Sequence, residues 1–129
     1  MELTEKDAAI AYAKAWNTLN CSEYLQLLVG DCCYESQWVF SALEGKEAIS
    51  EYFIGKLQTV KETRSTVRAE LAVAAAGPHP DRNCVLLTQG TDEKVQVVVV
   101  FTVTDGKISR YDLCAPEMFM PQVTGVYPI

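Results

Sequence analysis

The sequence predicts an α+β domain in which helices come before most of the strands. Apolar residues recur at helical spacing through the first half of the chain. The second half is a succession of β-prone runs separated by short polar turns. Helices first and strands after argue for segregated layers, not for alternating βαβ units. Short turns between the late strands make those strands antiparallel. The expected architecture is therefore a cone-shaped, curved, antiparallel or mixed sheet. Three helices from the N-terminal half close over it and enclose a cavity. The 129 residues fit one domain spanning positions 1–129.

Each element has its own local reason. Thr4 to Leu19 reads as a helix, with Thr4 as cap and Asp7 three residues on, a variant of the capping box. Ala8, Ala9, Tyr12, Ala15, Trp16 and Leu19 form its apolar stripe. Ser22 caps a short second helix that Gly30 closes. Cys32 to Phe40 is the first strand. Leu43 to Lys46 is a turn, and Lys46 to Val60 is a third helix with Ile49, Tyr52, Phe53 and Leu57 on one face. Thr66 to Ala76 and Asn83 to Gln89 are strands on either side of an exposed turn at Gly77-Pro78-His79-Pro80-Asp81. Val95 to Val103, VQVVVVFTV, is the most β-prone run. Asp105-Gly106 makes a hairpin turn, and Lys107 to Cys114 returns as the last strand. Pro116, Pro121 and Pro128 predict an irregular tail from Ala115 onward.

Composition excludes several classes. Hydrophobic residues at 49% and charged residues at 22% are an ordinary globular balance. A net charge of -6 argues against a nucleic-acid backbone or an anionic membrane as partner, since both reward Lys and Arg. No apolar run is long enough to span a bilayer. The five cysteines, Cys21, Cys32, Cys33, Cys84 and Cys114, are odd in number and lack metal-ligand spacing, so they read as small buried hydrophobes. The N-terminus, MELTEKDAAIAYAK, lacks the apolar core of a signal peptide, and reduced thiols in a cytoplasm are the expectation. The single histidine, His79, sits in the Gly-Pro turn and reads as a loop residue. A zinc site and a Ser-His-Asp triad are therefore not expected, and no cofactor or metal is.

The first strand holds the pocket candidates. Tyr34, Ser36 and Trp38 share one face; Glu35, Gln37 and Val39 share the other. Two aromatics and a hydroxyl suit an enclosed lining, because a buried tyrosine tip still needs a polar partner. Tyr12 and Trp16 lie one helical turn apart and face the sheet. A strand bulge would turn Glu35 inward, which makes it a secondary candidate for proton transfer. In the late strand Val97, Val99, Phe101 and Val103 form one set, and Gln96, Val98, Val100 and Thr102 the other. A strand apolar on both sides is covered on both sides.

These pieces resemble the nuclear transport factor 2-like superfamily (cystatin-like in fold), in its SnoaL-like and ketosteroid-isomerase-like branch. The matching stretches are AYAKAWNTLN, EYLQLLVGDC, CYESQWVF, LEGKEAISEYF and DGKISRY, which span the chain from about Ala9 to Cys114. The resemblance implies pairing of two copies through the sheet face. It also implies that Ser109, Tyr111 and Leu113 point inward and that Arg110 and Asp112 point outward, with Asp112 a secondary candidate. Ketosteroid isomerases need an Asp base and an oxyanion hole of a Tyr and a protonated Asp. Alignment puts Tyr12 at the oxyanion Tyr, Ser36 at the base and Val99 at the protonated Asp. Serine is no base near neutral pH and valine donates nothing, so that chemistry is not expected. The expected function is binding of a small hydrophobic ligand by Tyr12, Trp16, Tyr34, Ser36, Trp38 and Tyr111. The alternatives are a cofactor-independent SnoaL-like isomerase, cyclase or hydrolase, and a dimeric protein-interaction module.

Overall fold

The computed structural model describes residues 3–37, 41–77, 80–90 and 95–129, with Val95 described by its backbone alone. Helix α1 spans Glu5–Thr18 and opens on a capping box. Thr4 Oγ1 accepts from the Asp7 N–H at 3.1 Å, and Asp7 Oδ2 accepts from the Thr4 N–H at 3.0 Å. Ala8, Ala9, Tyr12, Ala13, Ala15 and Trp16 are its buried residues. The alanines let the helix lie close to the sheet, and the two aromatics reach into the space that is left.

Helix α2 (Ser22–Gln26) is shorter than the sequence suggests, because strand β1 (Leu28–Ser36) begins where the helix was expected to continue. The run Leu27-Leu28-Val29 suits either state. Pairing decides it: Leu28 lies opposite Ile108 of strand β6 (Lys107–Cys114), and the Leu27 carbonyl accepts from the Ile108 N–H at 2.8 Å. Strand β1 runs to Ser36; the expected continuation through Trp38, Val39 and Phe40 lies outside the described residues. The remaining elements are β2 (Leu43–Glu44), α3 (Lys46–Thr63), β3 (Val67–Ala74), β4 (Asn83–Gln89), β5 (Val95–Thr104), a 3₁₀ turn at Pro116–Met118 and β7 (Pro121–Val123).

The strands form one mixed, curved sheet in the order β2-β1-β6-β5-β4-β3-β7. Strands β1 and β6 are parallel and every other pair is antiparallel. The β5–β6 hairpin turns on Asp105 and Gly106, both at positive φ (52° and 76°), as the tightest twisted hairpins require. The tail is not irregular as expected. Proline lacks an N–H but keeps its carbonyl, and an edge strand tolerates that; β7 pairs Pro121, Gln122 and Val123 with Ala74, Val73 and Ala72.

The sheet has a buried apolar cluster on each face. The inner face carries Leu71, Val85, Leu87, Val99, Phe101 and Tyr111, packed against α1, α2 and α3. The outer face carries Ala72, Ala74, Cys84, Leu86, Val98, Val100 and Cys114, covered by Phe119 of the tail. Phe119 is held there by its carbonyl, which accepts from the N–H groups of Ala75 and Ala76 at 3.0 Å each. The chain thus covers Val98 and Val100 itself, without a second copy. All five cysteines are free.

One expected facing is corrected. Ser109 does not point inward, because β6 bulges there: Thr102 pairs with Arg110, and Val103 already pairs with Ile108. Ile108 takes the inward place, and the Ser109 hydroxyl bonds the Thr102 carbonyl and the Thr104 hydroxyl instead.

Candidate functional site: an aromatic cavity under the sheet

The inner face and the helices do not close completely. They leave a cavity of about 280 Å³, whose walls include Tyr12 and Trp16 from α1, Tyr34 and Ser36 from β1, Tyr52, Phe53 and Lys56 from α3, and Tyr111 and Leu113 from β6. Leu87 and Gln89 of β4 and Val97 of β5 complete it. Period-two alternation puts Tyr34 and Ser36 on one side of β1. On α3, Tyr52 and Lys56 are four residues apart and share a face.

The aromatic rings form a continuous cluster. The Tyr34 and Tyr111 centroids are 4.8 Å apart, Tyr12 and Tyr24 5.1 Å, and Trp16 and Phe53 5.4 Å. Tyr12 sits within 5.8 Å of Tyr24, Phe53, Phe101 and Tyr111, in edge-on and tilted contacts that favour the ring quadrupoles. Lys56 Nζ stands 5.5 Å from the Tyr52 ring centre at the mouth.

The electrostatics are those of a neutral, donor-rich wall. Burial pushes the hydroxyls of Tyr12, Tyr24, Tyr34 and Tyr111 well above the ordinary tyrosine range. They stay protonated at any physiological pH. At Tyr34 the nearby Tyr12 and Tyr52 add to that effect, and a hydrogen bond with Ser36 opposes it. The Trp16 indole N–H lies near enough to Tyr12 to oppose its shift, yet is buried outside hydrogen-bond geometry with any described group. The cavity can therefore donate hydrogen bonds to an acceptor oxygen. Among the described residues that line it, none is a carboxylate or a histidine, and Lys56 is the one charged group.

The residues singled out in the sequence separate here. Tyr12, Trp16, Tyr34, Ser36 and Tyr111 meet at the cavity. Trp38 lies outside the described residues, as does His79. Val99 is fully buried in the core beside the cavity and does not line it. Glu35 and Asp112 lie on the outer face, where both bind Arg110: Nη2 is 3.0 Å from Glu35 Oε1 and 2.8 Å from Asp112 Oδ1. That pairing, Asp112 first, drives the Arg110 guanidinium further into its charged state. Neither carboxylate is placed to take a proton inside the cavity. The bulge in β1 falls between Leu28 and Cys33, ahead of Glu35, and so does not turn it inward.

Tyr52, Lys56 and Gln89 also line the cavity, and the sequence reading did not place them in the pocket. For Tyr52 and Lys56 the four-residue spacing on α3 was the available signal. For Gln89, at the end of β4, the sequence holds none. No group of three or more His, Cys, Asp or Glu side chains among the described residues is placed to hold a metal.

No family model matches the chain, and no curated protein does. Solved structures do. An uncharacterized cystatin-fold protein from Novosphingobium aromaticivorans is 21% identical, with a TM-score of 0.64 over 88% of this chain and 99% of that one. SalBIII, an epoxide hydrolase/cyclase-like enzyme of pyran ring formation in the polyether salinomycin, is 20% identical, with a TM-score of 0.62 over 93% of this chain and 95% of that one. A candidate polyketide cyclase from Sinorhizobium meliloti is 17% identical, with a TM-score of 0.59 over 83% of this chain and 93% of that one. The chain has the cystatin-type fold shared by nuclear transport factor 2-like and SnoaL-like proteins.

Proposed function

We propose that this chain binds a small, mostly apolar ring compound in the cavity between α1, α3 and the inner sheet face. The wall supports this reading: six aromatic side chains (Tyr12, Trp16, Tyr34, Tyr52, Phe53 and Tyr111) border about 280 Å³ of space that holds one charge, Lys56. Ligand sites are apolar hollows with a few converging polar groups, and at this volume a compound of two or three fused rings is the size that fits. The protonated tyrosines and Ser36 would meet a carbonyl or hydroxyl oxygen on the ring. Two fold neighbours are named for cyclisation chemistry, one of them for pyran ring formation, which supports a ring compound as ligand. The five free thiols support a reducing, cytoplasmic setting.

Calorimetric titration with naphthol and related oxygenated aromatics tests the reading. Saturable binding is expected. Ser36→Trp, which places an indole in the space, is expected to weaken it by at least about tenfold while circular dichroism stays native. A panel that yields no saturable binding removes the proposal.

Pairing of two copies through the outer sheet face is part of the same reading. Its support is the exposed apolar strip Met118, Met120 and Val123, which lies beside the Phe119-covered face. Sedimentation equilibrium is expected to show a dimer that Met120→Asp splits. A strict monomer at all concentrations ends this part of the proposal.

A further inference from the structure

We infer that the ligand of the aromatic cavity has two parts: a fused-ring end inside and a neutral, hydroxyl-rich arm on an adjoining shelf. The inference rests on the reading that the cavity holds an apolar ligand. The space does not stop at Trp16. A second, more open hollow of about 440 Å³ lies along the last turns of α3. Trp16, Lys56 and Gln89 line both hollows, so the two adjoin at these three side chains.

Their walls differ in kind. The inner space is aromatic, whereas the shelf brings together the hydroxyls of Thr59, Thr63, Ser65 and Thr66. Two of those hydroxyls have their protons engaged. Thr59 Oγ1 donates to the Gly55 carbonyl at 3.0 Å, and Thr63 Oγ1 is 2.8 Å from the Thr59 carbonyl. Ser65 Oγ lies 2.7 Å from Thr63 Oγ1. A hydroxyl that donates into its own helix turns lone pairs outward. The shelf is therefore an acceptor surface, suited to groups that donate. Lys56 and Gln89, at the junction, supply N–H donors. A sugar or polyol hydroxyl matches both at once, because each hydroxyl donates and accepts.

The charges select against other arms. None of the described residues lining the shelf is a carboxylate, so nothing favours a cationic arm. Lys56 is the sole cation there, and one exposed lysine holds an anion weakly. The dimensions agree. From Phe53 to Thr63 along α3 is roughly 15 Å at the α-helical rise, about the length of two fused rings joined to a hexose.

The test uses the full chain carrying Trp38→Phe, which leaves Trp16, a residue of both hollows, as the one indole reporter. Its fluorescence is titrated with naphthol, naphthyl glucoside and naphthoic acid. The glucoside is expected to bind about tenfold more tightly than naphthol, the yield of two or three added hydrogen bonds. Thr59→Val with Thr63→Val is expected to erase that difference and to leave naphthol binding unchanged. Equal binding of naphthol and its glucoside overturns the two-part ligand and leaves the cavity reading standing. So does naphthoic acid binding tightest with loss in Lys56→Met, which would make the arm anionic. No saturable response to any of the three overturns the cavity reading and this inference with it.

Discussion

Alkaline titration is expected to unfold this protein cooperatively within about one to three pH units above the ordinary tyrosine pKa of about 10. The cause is the aromatic cluster. Tyr12, Tyr24, Tyr34 and Tyr111 are nearly inaccessible, and burial raises all four hydroxyl pKa values. A raised folded-state pKa means that the native chain keeps protons which the unfolded chain gives up. The tyrosines' contribution to stability is then intact below about pH 10 and falls as pH rises through the window between the unfolded and folded values. Each such tyrosine removes about 1.4 kcal/mol per pH unit in that window, so four remove roughly 5–6. A domain with about 5–15 kcal/mol of stability cannot outlast that slope for long. Tyrosinate absorbance and circular dichroism, followed together, should change in one transition. Tyr24→Phe should lessen the tyrosine part of the slope by about a quarter. Its hydroxyl is buried without a described partner, so the substitution costs little at neutral pH. Ionisation of all six tyrosines with native circular dichroism retained would refute the account.

The same cluster explains why the fold was legible and the site only partly so. The Thr4–Asp7 capping box, the alternation of Tyr34 and Ser36 and the two-sided β5 are local patterns, and local patterns survive in one sequence. Leu28–Asp31 misled because an apolar run near Gly30 satisfies helix and strand alike until Ile108 pairs with it. The inward place went to Ile108, not Ser109, because a bulge is a property of two strands and not of one. The cavity face that α3 contributes was half visible: Tyr52 and Phe53 stood out as apolar, but Lys56 reads as an exposed charge until the mouth is seen beside it. Tail positions were the least legible. Three prolines suppress any local signal, and only β3 shows why Pro121–Val123 are extended.

Substitution of Asn17 by Leu is expected to destabilise the protein by about 3–5 kcal/mol, more than the loss of an ordinary surface polar residue. Strand β3 is a sheet edge before the tail arrives, and an open edge exposes unpaired backbone groups. Asn17 closes its first part. The side-chain Oδ1 accepts from the Ala69 N–H at 2.8 Å, and Nδ2 donates to the Ala69 carbonyl at 2.9 Å. The amide thus pairs with Ala69 as a neighbouring peptide would. Nδ2 also donates to the Pro128 carbonyl at 2.8 Å, which ties the last residues to α1. The tail closes the next part: the Leu71 N–H donates to the Val126 carbonyl at 2.9 Å, and the Thr124 N–H to the Leu71 carbonyl at 3.1 Å. Strand β7 closes the rest. Leu keeps the four-heavy-atom, γ-branched outline of Asn but is bulkier and has no polar atoms, so it leaves the Ala69 N–H and carbonyl unpaired where Ala69 is buried. Urea denaturation measures the loss. A second variant separates the two jobs of Asn17. Removing Pro128 and Ile129 deletes the Pro128 bond, leaves the Tyr127 ring against Arg68, and should cost about 1 kcal/mol, and in that background Asn17→Leu should still cost most of its full effect. If the truncation alone accounts for the whole loss, Asn17 is a tail anchor and not the missing strand neighbour of Ala69.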